Sequence, residues 1–207
     1  MKRFSISRLE EARRNPAEFG KLLNSETKNG GMSFSKYMAW QHTLFRFHKT
    51  KDLPETINYF ESLFWGKFVD NRANRNQYEK FLESLNAYIK DHDKNKYKYI
   101  DGRVKMDIKL SEKVKITGQI PIVNMSPVGY SVFFLVRGRD DWEEELKFPV
   151  VQNYLSESFG VKLSEVEVGV YDLEKEKHIC KIYSARDVRE ANVELIKIGR
   201  IISSNLI

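Results

Sequence analysis

The sequence holds a single cysteine, Cys180, among its 207 residues. One thiol excludes an intrachain disulfide, a cysteine-ligated zinc site and an iron–sulfur cluster. Its surroundings, HICKIY, are apolar and strand-like, so it reads as a small buried hydrophobe. Long apolar runs are also missing. The longest, Val132 to Val136, falls far short of the roughly 20 residues of a bilayer span, so no membrane partner is expected. The opening MKRFSISRLEEARR has cations with no apolar stretch behind them and does not read as a signal peptide; a cytoplasmic location is expected. Histidines are few. His42 and His48 do not share a helical face, and His92 and His178 stand alone, with no HxxxH or HExxH spacing. No histidine metal site is therefore expected. Gly30-Gly31 lacks the strand-to-helix setting of a phosphate loop, and no G-x-S-x-G is present. No cofactor is expected.

What is present is a globular composition, 41% apolar and 13% aromatic, with a net charge of +6. A surplus of cations favours polyanions, DNA or RNA among them. The length suits one domain, residues 1–207, read as a helical portion (1–95) and a sheet-containing core (96–207).

Residues 5–23 read as a helix that Pro16 interrupts, because the residue before a proline avoids the α region. Residues 24–33, with Gly30-Gly31, read as a loop. Apolar residues at helical spacing predict helices over 34–50, 55–69 and about 76–90, and DHDKNK then reads as a charged turn. From residue 96 the period changes to two. KYKYIDGRVKMDIKL alternates as a half-buried strand pair does, and 114–124 and 130–137 read as further strands. A helix over 148–159, strands at 165–171 and 178–184, and a helix over 185–203 complete the chain. The order predicts an α/β fold with an N-terminal helical portion.

Four stretches carry a resemblance. SISRLEEARRNPAEF looks like an opening Ser-x-Ser-x-Leu helix. GQIPIV (118–123) looks like a strand written Gly-x-apolar-Asp-apolar, and SVFFLVRG (131–138) like one written apolar-apolar-Asp-x-Lys-Thr. LKFPVVQNYL, with the strands and helix after it, looks like a Gln-and-Tyr helix, a last strand pair and a closing helix. In this order they resemble the RecB and AddB type of PD-(D/E)XK nuclease, which includes the CRISPR-associated RecB-like exonucleases. The resemblance implies a restriction-endonuclease-like central mixed sheet flanked by helices. It also implies divalent-metal DNA cleavage, with Mg²⁺ held by hard carboxylate oxygens. Here the first acid position falls on Pro121. The second falls on Phe134 or Leu135, and the lysine on Val136 or Arg137. Arginine stays protonated and cannot act as a base, though it can hold a phosphate. The helix glutamine matches Lys147 or Gln152; with Lys147, the tyrosine position is Val151. The implied fold therefore comes with a degenerate centre and no metal.

The expected function is an inactive nuclease-like module that binds nucleic acid as an accessory subunit in DNA repair, recombination or phage defence. Its candidate contacts are Arg8, Arg13, Arg14 and Lys21 near the opening helix, Arg137 and Arg139 where a strand ends, and Lys147 and Gln152. For the N-terminal cations an ordinary solvated face stands beside a DNA channel. The stretch Tyr37–Lys49 interleaves aromatics with cations, a pattern that suits stacking on single strands. Helical spacing assigns Phe34, Tyr37, Leu44 and Phe47 to a core, while Trp40 and Arg46 stay open. An alternative is a protein-interaction module for a nuclease or helicase partner, its old cleft filled by Pro121, Phe133, Phe134 and Leu135. A third is an active nuclease whose acids have moved to Asp107 and the run Asp140, Asp141, Glu143, Glu144 and Glu145.

Overall fold

The computed structural model describes residues 1–25 and 34–206. Residues 26–33, which carry Gly30-Gly31 of the expected loop, and residue 207 lie outside the described residues. The chain opens with a short strand, β1 (Lys2–Ser5), and a tight turn at Ile6–Arg8. Helices α1 (Leu9–Arg14) and α2 (Pro16–Ser25) follow. They meet at Asn15, which Pro16 keeps out of the helical region. The expected interruption at Pro16 separates two helices, and a strand and a turn that were not expected precede them. A four-residue strand leaves too short a pattern to read, and only its partner in the sheet fixes it.

Helices α3 (Lys36–Thr50), α4 (Leu53–Trp65) and α5 (Arg72–Lys94) come next. Their starts are capped. The side chains of Ser35, Asp52 and Asn71 accept the N–H groups of Met38, Glu55 and Asn74, satisfying first-turn donors that lack an intrahelical partner. The expected charged turn after Lys90 is the last turn of α5, whose C-cap is Asn95.

Strands β2 (Lys98–Lys109), β3 (Val114–Ser126) and β4 (Gly129–Val136) form an antiparallel meander. Helix α6 (Lys147–Phe159) then crosses over to β5 (Val166–Asp172), which runs parallel to β4. Strand β6 (Lys177–Lys181) returns antiparallel to β5, and α7 (Ala185–Ser204) closes the chain behind a Ser184–Asp187 capping box. The expected strand pair over 96–110 is one long strand. Ten paired positions along β3, with an irregularity between Tyr99 and Asp101, hold it extended.

The result is an α/β fold with a six-stranded mixed sheet flanked by helices. β3 pairs with β2 along one side. Along the other it pairs with β1, in parallel, and then with β4. Because β1 joins this sheet, the division at residue 95 is not a structural boundary. One sheet face is covered by α1, α2, α6 and α7, through Leu9, Leu23, Val151, Leu155, Leu195 and Ile202. The other is covered by α3, α4 and α5, through Trp40, Leu44, Phe60, Phe64 and Tyr88. Neighbouring strand residues alternate between them: Phe134 and Val170 belong to the first cluster, Leu135 and Tyr171 to the second. Val193 and Ile196 of α7 are exposed. No described helix is long and apolar enough to cross a membrane.

Candidate nucleic-acid interface

The degenerate centre lies where β3 and β4 meet. Ile122 pairs with Phe133, and Pro121 and Phe134 are the next residues along each strand. Phe134 packs edge-on against Phe148 at 5.6 Å, and the Lys147 ammonium sits 5.3 Å above its ring. Leu135 packs into the opposite, aromatic cluster. Phe134 and Leu135 are thus partly buried against the two core clusters.

The carboxylate beside them is Glu145, 7% exposed. Arg139 Nη1 lies 2.8 Å from its Oε1 and Lys147 Nζ 2.6 Å from its Oε2. Oε1 receives no directed hydrogen bond, so the arginine contact is ionic. Both oxygens of this buried carboxylate are thus matched to a protein cation. Glu10 is likewise engaged: its Oε1 accepts the Leu146 N–H at 2.6 Å. The other loop acids turn outward to separate cations, Asp140 to Lys175, Asp141 to Arg139 and Glu143 to Lys181. Asp107 pairs with Lys115. The relocated centre of Asp107 with the 140–145 acids is therefore not assembled. Among the described residues no group of three or more His, Cys, Asp or Glu could hold a metal ion.

Most of the expected phosphate contacts are occupied within the protein. Arg13 grips Glu194 at 2.7 Å and the Glu144 carbonyl at 2.9 Å, tying α1 to α7 and to the acidic loop. Arg8 pairs with Glu11 and lies over Phe19, and Lys21 pairs with Glu18. Arg137, well exposed, reaches Glu174 at 3.2 Å. Arg14 lies exposed at the end of α1. Gln152 is a correction: it is fully buried and cannot meet a ligand. Its amide donates to the carbonyls of Leu163 and Tyr183 and accepts the Tyr183 N–H. That ties α6 to the segments before and after the last strand pair. The partners of Arg13 and Gln152 are distant in sequence, so residue type alone could not separate structural from ligand-facing groups.

The aromatic-basic stretch divides cleanly. Trp40 is buried, its indole N–H donating to the Phe81 carbonyl at 3.1 Å. The other side of α3 presents His42, Phe45, Arg46 and Lys49, spaced i, i+3, i+4 and i+7. With Tyr59 of α4 and Tyr99 and Arg103 of β2 they line a groove of 240 Å³. Strand β2 is deformed at this place. Beyond the irregularity at Tyr99–Asp101, Arg103 adopts a left-handed φ of 60°. Its guanidinium lies 4.6 Å above the Phe45 ring. A Cβ at Gly102 would lie 2.6 Å from the Tyr99 hydroxyl and 3.1 Å from the Pro121 carbonyl, so a side chain there would crowd the groove wall. Arg46 pairs with Glu55 and lies over Tyr59. Burial and the charge of Arg103 lower the His42 pKa. Tyr59, Tyr99 and Arg103 were not sequence candidates. The readable signal was the polar spacing of α3 opposite its core face.

The histidines expected to stand alone do not. His48, His92 and His178 converge between the helices and the sheet, with ring centres 4.9 Å apart for the first two and 6.1 Å for the last two. His48 Nε2 meets the Tyr88 hydroxyl at 2.7 Å, and His178 Nδ1 meets Asp91 at 2.7 Å. Burial lowers all three pKa values, that of His92 to about 4, so the cluster is neutral at pH 7. Cys180 is half-buried, and burial and Glu167 push its thiol up to about 12. It stays protonated and is no nucleophile.

No protein family and no curated protein matches the chain.

Proposed function

We propose that this chain is a metal-free, nuclease-like module that binds DNA or RNA as an accessory subunit in repair, recombination or phage defence. The observation that carries the reading is the strand order around the degenerate centre. A β2–β3–β4 meander, a crossover helix and a parallel fifth strand follow the order that the PD-(D/E)XK resemblance implies. Where that resemblance asks for metal chemistry, Pro121 stands at the first acid position, Phe134 or Leu135 at the second and Val136 or Arg137 at the lysine, and the adjacent Glu145 is held by two cations. Ligand-free strands cannot generate a metal-bound nucleophile. The cationic surplus remains, and it acts on phosphates without any metal.

The test is incubation of labelled single- and double-stranded DNA and RNA with the protein, with Mg²⁺ or EDTA, followed by binding isotherms and a denaturing gel. Salt-sensitive binding with uncut strands is expected under both conditions. Mg²⁺-dependent cuts, lost in Asp107→Ala or Asp141→Ala, would return the active-nuclease reading.

One observation favours a protein partner instead. A cavity of 540 Å³ opens at the ends of β4 and β5, with Phe81, Leu135 and Leu173 in its wall. Absence of binding to every nucleic acid at low salt would favour this second reading.

A further inference from the structure

We infer that the groove between α3 and β2 is the seat of a single-stranded nucleic acid, holding one nucleotide of a longer strand. The inference rests on the nucleic-acid-binding reading and assigns the strand type and the contacts.

Charge is the first ground. Arg46, Lys49 and Arg103 enter one groove whose lining contains no carboxylate. The nearest, Glu55, pairs with Arg46 from outside that lining. Lys49 and Arg103 have no ion-pair partner among the described residues. Six of the seven candidate cations elsewhere contrast with this, since Arg8, Arg13, Lys21, Arg137, Arg139 and Lys147 each face an acid and Arg14 is the exception.

The aromatic rings are the second ground. Phe45, Tyr59 and Tyr99 stand among these cations. The Tyr99 ring stacks on the buried His48 at 4.3 Å and 9°, so it is held in place before a ligand arrives. Rings beside cations suit a base and its phosphate, because every base has a face to stack and every linkage a charge. A duplex keeps its base faces inside and offers only phosphates here.

Strain is the third. A left-handed φ disfavours any residue with a Cβ, and arginine gains nothing locally from it. The distortion turns Arg103 over Phe45 and into the groove. Strained backbone kept at a cationic, solvent-facing site points to use by a ligand. Size is the fourth. At 240 Å³ the groove falls below the roughly 300–1,000 Å³ of small-molecule pockets, so it fits a step on a polymer's path better than a whole cofactor.

The test is a fluorescence-anisotropy titration with fluorescein-labelled oligothymidylate, oligouridylate and a DNA duplex at about 50 and about 200 mM salt. The proteins are the wild type, Lys49→Ala, Lys49→Ala with Arg103→Gly, and Arg14→Ala with Arg137→Ala as the control. The wild type is expected to bind single strands more tightly than duplex; the DNA and RNA arms show which sugar is preferred. The groove double variant should lose about tenfold in affinity at low salt, and its salt slope should fall by roughly 1.4, about 0.7 for each lost phosphate contact. Lys49→Ala, at an exposed position, should lose part of this, and the control should stay within about twofold. Glycine at 103 relieves the left-handed strain, so the double variant should melt no lower than the wild type. Wild-type binding with groove variants unaffected, a loss that follows Arg14 and Arg137, or a duplex preference would overturn the groove while the wider reading stood. No binding of any probe by the wild type would overturn both.

Discussion

The two faces of the sheet are built from different side chains. The face covered by α1, α2, α6 and α7 is largely aliphatic, and Gln152, its deepest polar group, has its amide hydrogen-bonded on both atoms. The face under α3, α4 and α5 is made of rings. Trp40, Tyr88 and Tyr171 surround His48, His92 and His178, and the Tyr171 hydroxyl, Asn124 Nδ2 and His178 Nε2 are buried without partners. The cations differ in the same sense. Arg13 and Lys147 over the aliphatic face close ion pairs within the fold, whereas Lys49 and Arg103 over the aromatic face are exposed to solvent. Beside the aliphatic side Glu145 Oε1 is buried without a hydrogen bond; on the other, several unpaired polar groups and a strained backbone stand beside a groove.

That contrast can be broken by mutation. Phe148→Ala on the aliphatic face and Phe64→Ala on the aromatic face should each cost about 3–5 kcal/mol in urea unfolding, because both rings are fully buried. A far smaller loss at Phe64 would mean that the aromatic face contributes little to the folded state.

Acid should separate the faces further. Neutral histidines in the folded state take up protons on unfolding, so the unfolded chain binds more protons as pH falls below the ordinary histidine value near 6.5. Stability is fully present above that value and is lost progressively down towards about 4, the folded-state pKa of His92. The loss traceable to His92 should reach at most about 3 kcal/mol. Urea unfolding at steps across this window checks it, and His92→Asn should flatten the profile. An unchanged wild-type stability would mean that the cluster is not buried in neutral form.

Smaller effects sharpen the reading of the surface. Gln152→Leu should cost about 1–3 kcal/mol, because it leaves the Tyr183 N–H and two carbonyls unpaired, and it should leave nucleic-acid affinity within about twofold. Arg14→Ala should change stability by no more than about 0.5 kcal/mol. A large affinity loss from either, in the binding titration, would restore the positions first suspected from sequence.

Much of the fold was legible because its elements are long and periodic. Phe60, Leu63 and Phe64 mark α4, and the alternation through Val104, Met106 and Ile108 marks β2. β1 was not legible, since four residues show no period and only Val114–Thr117 make them a strand. The site was less legible still. Pro121, Phe134 and Leu135 could be placed by order along the chain. The pairing of Arg13 with Glu194, the meeting of His48, His92 and His178, and the turn of Arg103 towards Phe45 all depend on residues far apart in sequence. Residue type identified possible ligand contacts, and tertiary contact decided which of them were already taken.

The most direct test of a metal-free nucleic-acid module is a titration of the wild-type protein with a single-stranded oligonucleotide at stepped salt concentrations in EDTA. Binding that weakens with a log–log slope near −1.4, about −0.7 for each phosphate at Lys49 and Arg103, is the expected result. No binding at the lowest salt, or binding that appears only when Mg²⁺ replaces EDTA, would contradict it.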